Sequence, residues 1–220
     1  MDSGLFNEPT LEDADNNEEL LGHLKSARAK FLEFLELKDA DGWELYKDED
    51  GVAMWTRPTE GSDVKCVKRV MEVNVSATDM AKVLNDPEAQ RSADERMKEY
   101  SFVHEYAFGS NLVKVKLAGN LVVSDREGHL FVTDQTLTDG SRAIVGFSVE
   151  TDKVKLDDGC VEATFHMLVS HIQEISDSKC KVTTLAHVNP NGSIPTTLIN
   201  SMLGHRHTQF INMKKIAESA

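Results

Sequence analysis

Asn189-Pro190-Asn191-Gly192-Ser193-Ile194-Pro195-Thr196-Thr197-Leu198-Ile199-Asn200 opens the stretch on which the reading of this chain turns. Pro190, Asn191 and Gly192 are a dense turn signal. Ser193 offers a side-chain oxygen to cap a helix, and Pro195 suits a first helical turn, where its missing N–H costs nothing. Beyond it, at about 100° per residue, Leu198, Ile199, Met202, Leu203, Phe210, Met213, Ile216 and Ala217 share one arc of a long helix. That arc is wider than a packing seam and suits a helix laid over a broad apolar surface. Arg206 falls in the middle of the arc. Gly204 sits inside the helix, where it costs about 1 kcal/mol relative to Ala.

The region upstream supplies such a surface. From about Asn17 to Lys38, Leu20, Leu21, Leu24, Arg28, Phe31, Leu32 and Leu35 recur at helical steps, with Glu18 and Glu19 at the favourable N-terminal end. Trp43 to Lys47 and Val52 to Arg57 flank a turn at Asp48-Glu49-Asp50-Gly51 and read as a hairpin. Val64 to Val75 is a third strand. Ser76-Ala77-Thr78-Asp79 resembles a capping box and starts a short helix that buries Ala77, Met80, Ala81 and Leu84 and stops at Asp86-Pro87. A second short helix is expected within 88–97. Six further strands follow, at Lys98–Tyr106, Asn111–Leu117, Gly128–Leu137, Arg142–Thr151, Cys160–Ile175 and Lys181–Val188. Several alternate apolar and polar residues; Val161, Ala163, Phe165, Met167 and Val169 are expected on one face, opposite Glu162, Thr164 and His166. Such strands bury one face, as antiparallel sheets do. A long curved antiparallel sheet of this kind covers its inner face by wrapping around the C-terminal helix, which makes the expected class α+β with an internal apolar cavity.

The motif Gly192-Ser193-Ile194-Pro195-Thr196-Thr197-Leu198-Ile199-Asn200 resembles the opening of the last helix in the START family, the StAR-related lipid-transfer domains. Ala118-Gly119-Asn120-Leu121-Val122 is similar to another stretch of that family, and the order of elements agrees from about Leu20 onward. The resemblance implies a helix-grip fold, a lipid held in the cavity and a lid formed by the last helix. In the family's sterol-binding members an acidic–basic pair on the sheet meets the ligand. An ungapped match places Leu112 and Phe131 at those positions. The family's "R-D" is met only by Asp125-Arg126-Glu127, and its "V-R-A" by Val161-Glu162-Ala163. These departures speak against a sterol. Arg206 either snorkels out along its stem, pairs with a sheet carboxylate, or points into the pocket to meet an anionic group, and the last favours a phospholipid over a sterol.

Composition narrows the alternatives. Of a net charge of −13, seven acids and no Lys or Arg lie in the first 19 residues, so nucleic acid is an unsuitable partner and contact with anionic membranes is expected to be transient. Residues 1–16 read as an acidic disordered tail, and 17–220 as one domain. No apolar run is long enough to span a membrane, and no signal-peptide pattern opens the chain. Cys66, Cys160 and Cys180 match neither a metal spacing nor a disulfide framework, which points to reduced thiols and a cytoplasmic location.

No catalytic constellation, metal site or cofactor motif emerges. His205 and His207 are expected at the surface or as satisfied polar groups; His166 and His171, five apart on a strand, are expected on opposite faces. Asp152 to Asp158 reads as a solvated loop. The expected lipid contacts are Leu198, Ile199, Met202, Leu203, Arg206, Phe210 and Met213 from the helix, and Val161, Phe165 and Met167 from the sheet. Ile194, Pro195 and Gly204 are the expected gate. The resulting expectation is a non-enzymatic lipid carrier. A helix-grip cyclase, or a ligand-sensing module acting on a protein partner, are the alternatives.

Overall fold

The computed structural model describes residues 5, 8–120, 123–195, 198–199 and 202–219. The elements run α1 (Glu18–Leu37), β1 (Glu44–Glu49), β2 (Val52–Thr59), β3 (Ser62–Val73), α2 (Ala77–Asn85), α3 (Pro87–Ala93), β4 (Met97–Tyr106), β5 (Ser110–Leu117), β6 (Arg126–Thr136), β7 (Arg142–Ser148), β8 (Val161–Glu162), β9 (Thr164–Ser176), β10 (Lys179–Asn189) and α4 (Leu203–Ser219). Local chemistry sets the boundaries. The Asn17 side chain accepts from the Leu20 N–H and starts α1. Ser76 does the same for α2 through the Asp79 N–H, and its hydroxyl donates back to the Asp79 carboxylate. Asp86 ends α2 and caps α3, accepting from the Glu88 and Ala89 N–H groups ahead of Pro87.

The strands form one ten-stranded sheet in the order β1-β2-β3-β10-β9-β7-β6-β5-β4, antiparallel throughout except that β8 pairs with β6 in parallel. The curved sheet gripping the last helix is the expected helix-grip arrangement. Alternation divides each strand between two faces. On the inner face, Val113, Val115, Leu130, Val132, Phe165, Ile172 and Val182 pack with α2, α3 and the Ile211, Met213 and Ala217 side of α4. On the outer face, Phe131, Val145, Phe147, Met167 and Val169 pack beneath Leu20, Leu24, Ala27, Phe31 and Phe34 of α1. Met54, Val67 and Leu203 form a small third cluster.

Three elements depart from expectation. The single strand expected over Cys160–Ile175 is split into β8, which pairs in parallel with β6, and β9. The helix expected to run unbroken from Pro195 begins with a separate turn, in which the Leu198 and Ile199 N–H groups donate to the Pro195 carbonyl; α4 itself starts at Leu203. Gly204 therefore lies in its first turn. The N-terminal tail has contacts that its composition does not reveal. Thr10 and Asp13 close a hydrogen-bonded turn, Glu8 pairs with Arg28, and Ala14 is fully buried beside α1.

Candidate functional site

Between the inner face of the sheet and α4 lies a cavity of about 200 Å³. Its walls are mostly apolar: Val115 and Leu117 from β5, Leu130 and Val132 from β6, Ile144 from β7, Phe165 and Leu168 from β9, Val188 from β10, Leu84 from α2, with Met202 and Phe210 closing it from the last segment. A glycine positions one wall. A Cβ on Gly128 would stand 2.4 Å from the Phe165 ring, so only glycine lets that ring lie flat against β6.

Beside the uncharged Asn85, Gln90, Ser170, Thr184 and Gln209 and the imidazole of His205, the charged lining is dominated by cations. Arg69 comes from β3, Arg96 from the turn before β4, and Arg206 from α4; among the described residues Asp94 is the one carboxylate lining the cavity. Arg69 is 4% exposed. It donates from Nη1 to Thr184 Oγ1 at 3.2 Å, and its guanidinium lies over the Phe210 ring, 4.1 Å from the centroid. Its Nε has no acceptor. Burial, and then the nearby Arg206 charge, pull Arg69 down to about 9, so it stays charged at neutral pH. Burial also lowers Arg206, followed by repulsion from Arg96. Among the described residues no carboxylate lies within salt-bridge distance of the Arg69 or Arg206 guanidinium. Arg96 donates its backbone N–H to Asp94 and its guanidinium to the Ala118 carbonyl.

Of the expected contacts, the fold brings Arg206, Met202, Phe210 and Phe165 together around this cavity. Others lie elsewhere. Leu203 packs on Met54 and Val67, and Met213 is buried in the core beyond the cavity. Leu198 and Ile199 are half-buried but do not line it. Val161 sits in β8, beside Gly192. Met167 is on the outer face beneath α1, and the reason is a β-bulge. Val188 pairs with Phe165 while His187 pairs with Met167, leaving His166 as the extra residue, so the alternation changes faces between Phe165 and Met167. The same shift overturns the separation of His166 from His171. His166 stacks on His187 beside Met167, and His171 packs edge-on to Phe31 and Phe34 of α1.

Of the expected gate residues, Ile194 is half-buried and Pro195 exposed. A Cβ on Gly204 would meet only the Tyr46 hydroxyl, at 4.0 Å. Thr196, Thr197 and Asn200 of the C-terminal motif, and Leu121 and Val122 of the other, lie outside the described residues.

Of the two helix histidines, His205 is exposed, and His207 is a fully buried polar group whose Nε2 donates to the Val52 carbonyl at 2.8 Å. The 152–158 loop is largely exposed, as expected, and is anchored at Asp157, which Lys114 and Lys116 both hold at 2.8 Å and whose N–H donates to Glu127. Glu127, Asp157 and Cys160 bring ligand atoms within 4.8 Å of one another, but these two ammonium groups already stand against Asp157. Leu112 and Phe131 lie on the outer face, Phe131 against His23 of α1. They therefore say nothing about a sterol. The inner-face neighbours at that level, Val113, Leu130 and Val132, are apolar too. Arg69 was missed altogether, although it stands among Val67, Met71 and Val73 at two-residue steps, where a lone charge on an apolar strand face marks a site.

The START domain family model matches residues 25–217. The chain belongs to the START family. Among curated proteins no sequence matches it significantly. Among solved structures, this START domain is similar to human STARD10 (22% identity over 85% of this chain and 78% of that one, TM-score 0.75). It is also similar to human StAR-related lipid transfer protein 5 (16% identity, 89% and 96% covered, TM-score 0.80). A STAR-related lipid transfer protein fragment from Xanthomonas axonopodis gives 23% identity, with 80% and 99% covered and a TM-score of 0.69. At these identities the likenesses show the fold. No helix among the described residues is long and apolar enough to cross a membrane.

Proposed function

We propose that this START domain holds one lipid in the cavity beneath α4 and carries it between membranes without altering it. The observation that carries the reading is the apolar cavity closed by Met202 and Phe210 and lined by Arg69 and Arg206, neither of which has a carboxylate partner among the described residues. Each buried CH₂ contributes about 0.8 kcal/mol, so an ordinary acyl chain is held in its membrane by roughly 10 kcal/mol or more. A carrier must offer an enclosed apolar site before the lipid leaves, and needs no covalent chemistry. Among the described residues the lining has one carboxylate, Asp94, and one imidazole, His205, and no hydrogen bond joins them into an acid–base pair, which supports a non-enzymatic role. The three free thiols suit the cytoplasm.

Arg206 meets the lipid's anionic group, which favours a phospholipid over a sterol. The cavity's 200 Å³ is below the roughly 300–1,000 Å³ of sites for drug-sized ligands, so a lipid loads only when the cavity opens. Ile194, Pro195 and Gly204 flank the segment that moves, and membrane contact is transient. The test is movement of fluorescent lipids between two liposome populations. Accelerated exchange with chemically unchanged lipid is expected. Failure to bind or transfer any of phosphatidylcholine, phosphatidic acid, ceramide and sterol overturns the reading.

A further inference from the structure

Arg69 and Arg206 reach the same cavity from opposite walls, one from β3 and the other from α4. Arg69 is almost completely buried, yet its acceptors amount to one threonine hydroxyl, and its Nε is left over. Neither guanidinium has a carboxylate partner among the described residues. A buried charge without a partner is costly, and the cost is met when a ligand supplies the counter-charge. A guanidinium is planar and presents paired N–H donors, the geometry that holds two oxygens of a phosphate or carboxylate at once. Phe210 fixes the plane of Arg69 by stacking beneath it.

The same surroundings disfavour a cationic head. A quaternary ammonium is held by free aromatic faces or carboxylates. Here Arg69 covers the Phe210 face and Asp94 already accepts from the Arg96 N–H, so an ammonium beside the remaining rings of Tyr100 and Phe165 meets three guanidinium charges against one carboxylate among the described lining residues. We infer that Arg69 and Arg206 form a two-armed anion clamp that selects acidic lipids, with a phosphate monoester or carboxylate head and no ammonium, over zwitterionic phosphatidylcholine. Arg69 is thus a specificity-determining residue. The inference rests on the cavity being a lipid site and goes further by naming the head-group class.

The experiment offers the purified full chain vesicles containing equal amounts of dioleoylphosphatidic acid, oleic acid, dioleoylphosphatidylcholine and cholesterol. The protein is then re-isolated and its bound lipid quantified by mass spectrometry. Acidic lipid is expected to exceed phosphatidylcholine by about tenfold or more, the worth of a charged hydrogen bond. Arg69→Met and Arg206→Leu should each remove most of that excess, bringing acidic lipid down towards the phosphatidylcholine level, and Arg69→Lys should restore part of it. Should Arg69→Met fail to fold by circular dichroism, the wild-type preference and Arg206→Leu decide. Phosphatidylcholine or cholesterol at parity with the acidic lipids, or folded variants that keep the preference, overturns the clamp while leaving the carrier reading intact. Uptake of no lipid at all overturns both. A rise in melting temperature with inorganic phosphate, without lipid uptake, overturns the lipid assignment by placing the anion's source in solution.

Discussion

At the scale of single residues, Phe165 and Met167 are equally apolar and two positions apart, yet they serve different cores. Phe165 lines the cavity, and Met167 lies under α1. Met167→Ala should cost about 2–5 kcal/mol by leaving a void in the outer core, with the spectrum of bound lipids unchanged. Phe165→Ala should cost about 3–5 kcal/mol and also shift that spectrum towards bulkier chains, because its void opens into the cavity. Urea unfolding with lipid extraction checks both; a changed lipid spectrum in Met167→Ala would show that the bulge has been misplaced. Sequence alternation could not tell the two apart, because one inserted residue, His166, inverts it without any glycine or proline to announce the change. Arg206 was legible because a helical wheel sets it among apolar neighbours. Its companion Arg69 carries the same kind of signal, a lone charge on the apolar strand face of Val67, Met71 and Val73.

At the scale of elements, both strands and helices were readable wherever periodicity was long. α1, α2 and the strands fall within a few residues of expectation, since caps at Asn17, Ser76 and Asp86 and alternation along β5 carry strong signals. The last helix was harder. Two adjacent arcs of α4 are occupied: Leu203, His207 and Ile211 bury against sheet and core, and Met202, Arg206 and Phe210 turn to the cavity. A helix serving both a core and a cavity has no single apolar stripe, so residue type alone does not tell the buried His207 from the exposed His205. Gly204 separates two further ideas. A clash with the sheet does not explain it, since a Cβ there has open space. Gly204→Ala should therefore raise stability by about 1 kcal/mol, or about 2–4 °C in Tm. It should also slow lipid exchange more than it changes equilibrium binding, because a firmer first turn opens less often. Thermal melts and liposome transfer on the same sample check this, and an unchanged or lower Tm would show that the glycine does something else.

At the scale of the whole molecule, three histidines spread over α1, β9 and β10 act together. His171 is buried against Phe31 and Phe34 and shares a hydrogen bond with Ser141 Oγ; His23 is half-buried against Phe131; His187 is half-buried under His166. In each, burial is the largest influence and lowers the pKa below the ordinary 6.5. A lowered histidine pKa means that the unfolded chain binds more protons than the folded one once the pH drops below 6.5, so stability rises with pH in that range. Above 6.5 the rings are neutral in both states and nothing is lost. The carboxylates held low by cationic or hydroxyl partners, among them Asp157 at about 2 and Asp139, have the same sign but act later. Their ordinary values are 3.8, so they stay ionised in both states until the pH approaches that range. Between pH 6.5 and about 4.5 the slope therefore belongs to the histidines. The urea midpoint should fall steadily from pH 7 to pH 5, and His171→Gln, which removes the most buried of the three rings, should flatten part of that fall while lowering stability at pH 7. A midpoint that holds level over this range in the wild type would mean that the three rings accept protons in the folded state as readily as in the unfolded chain.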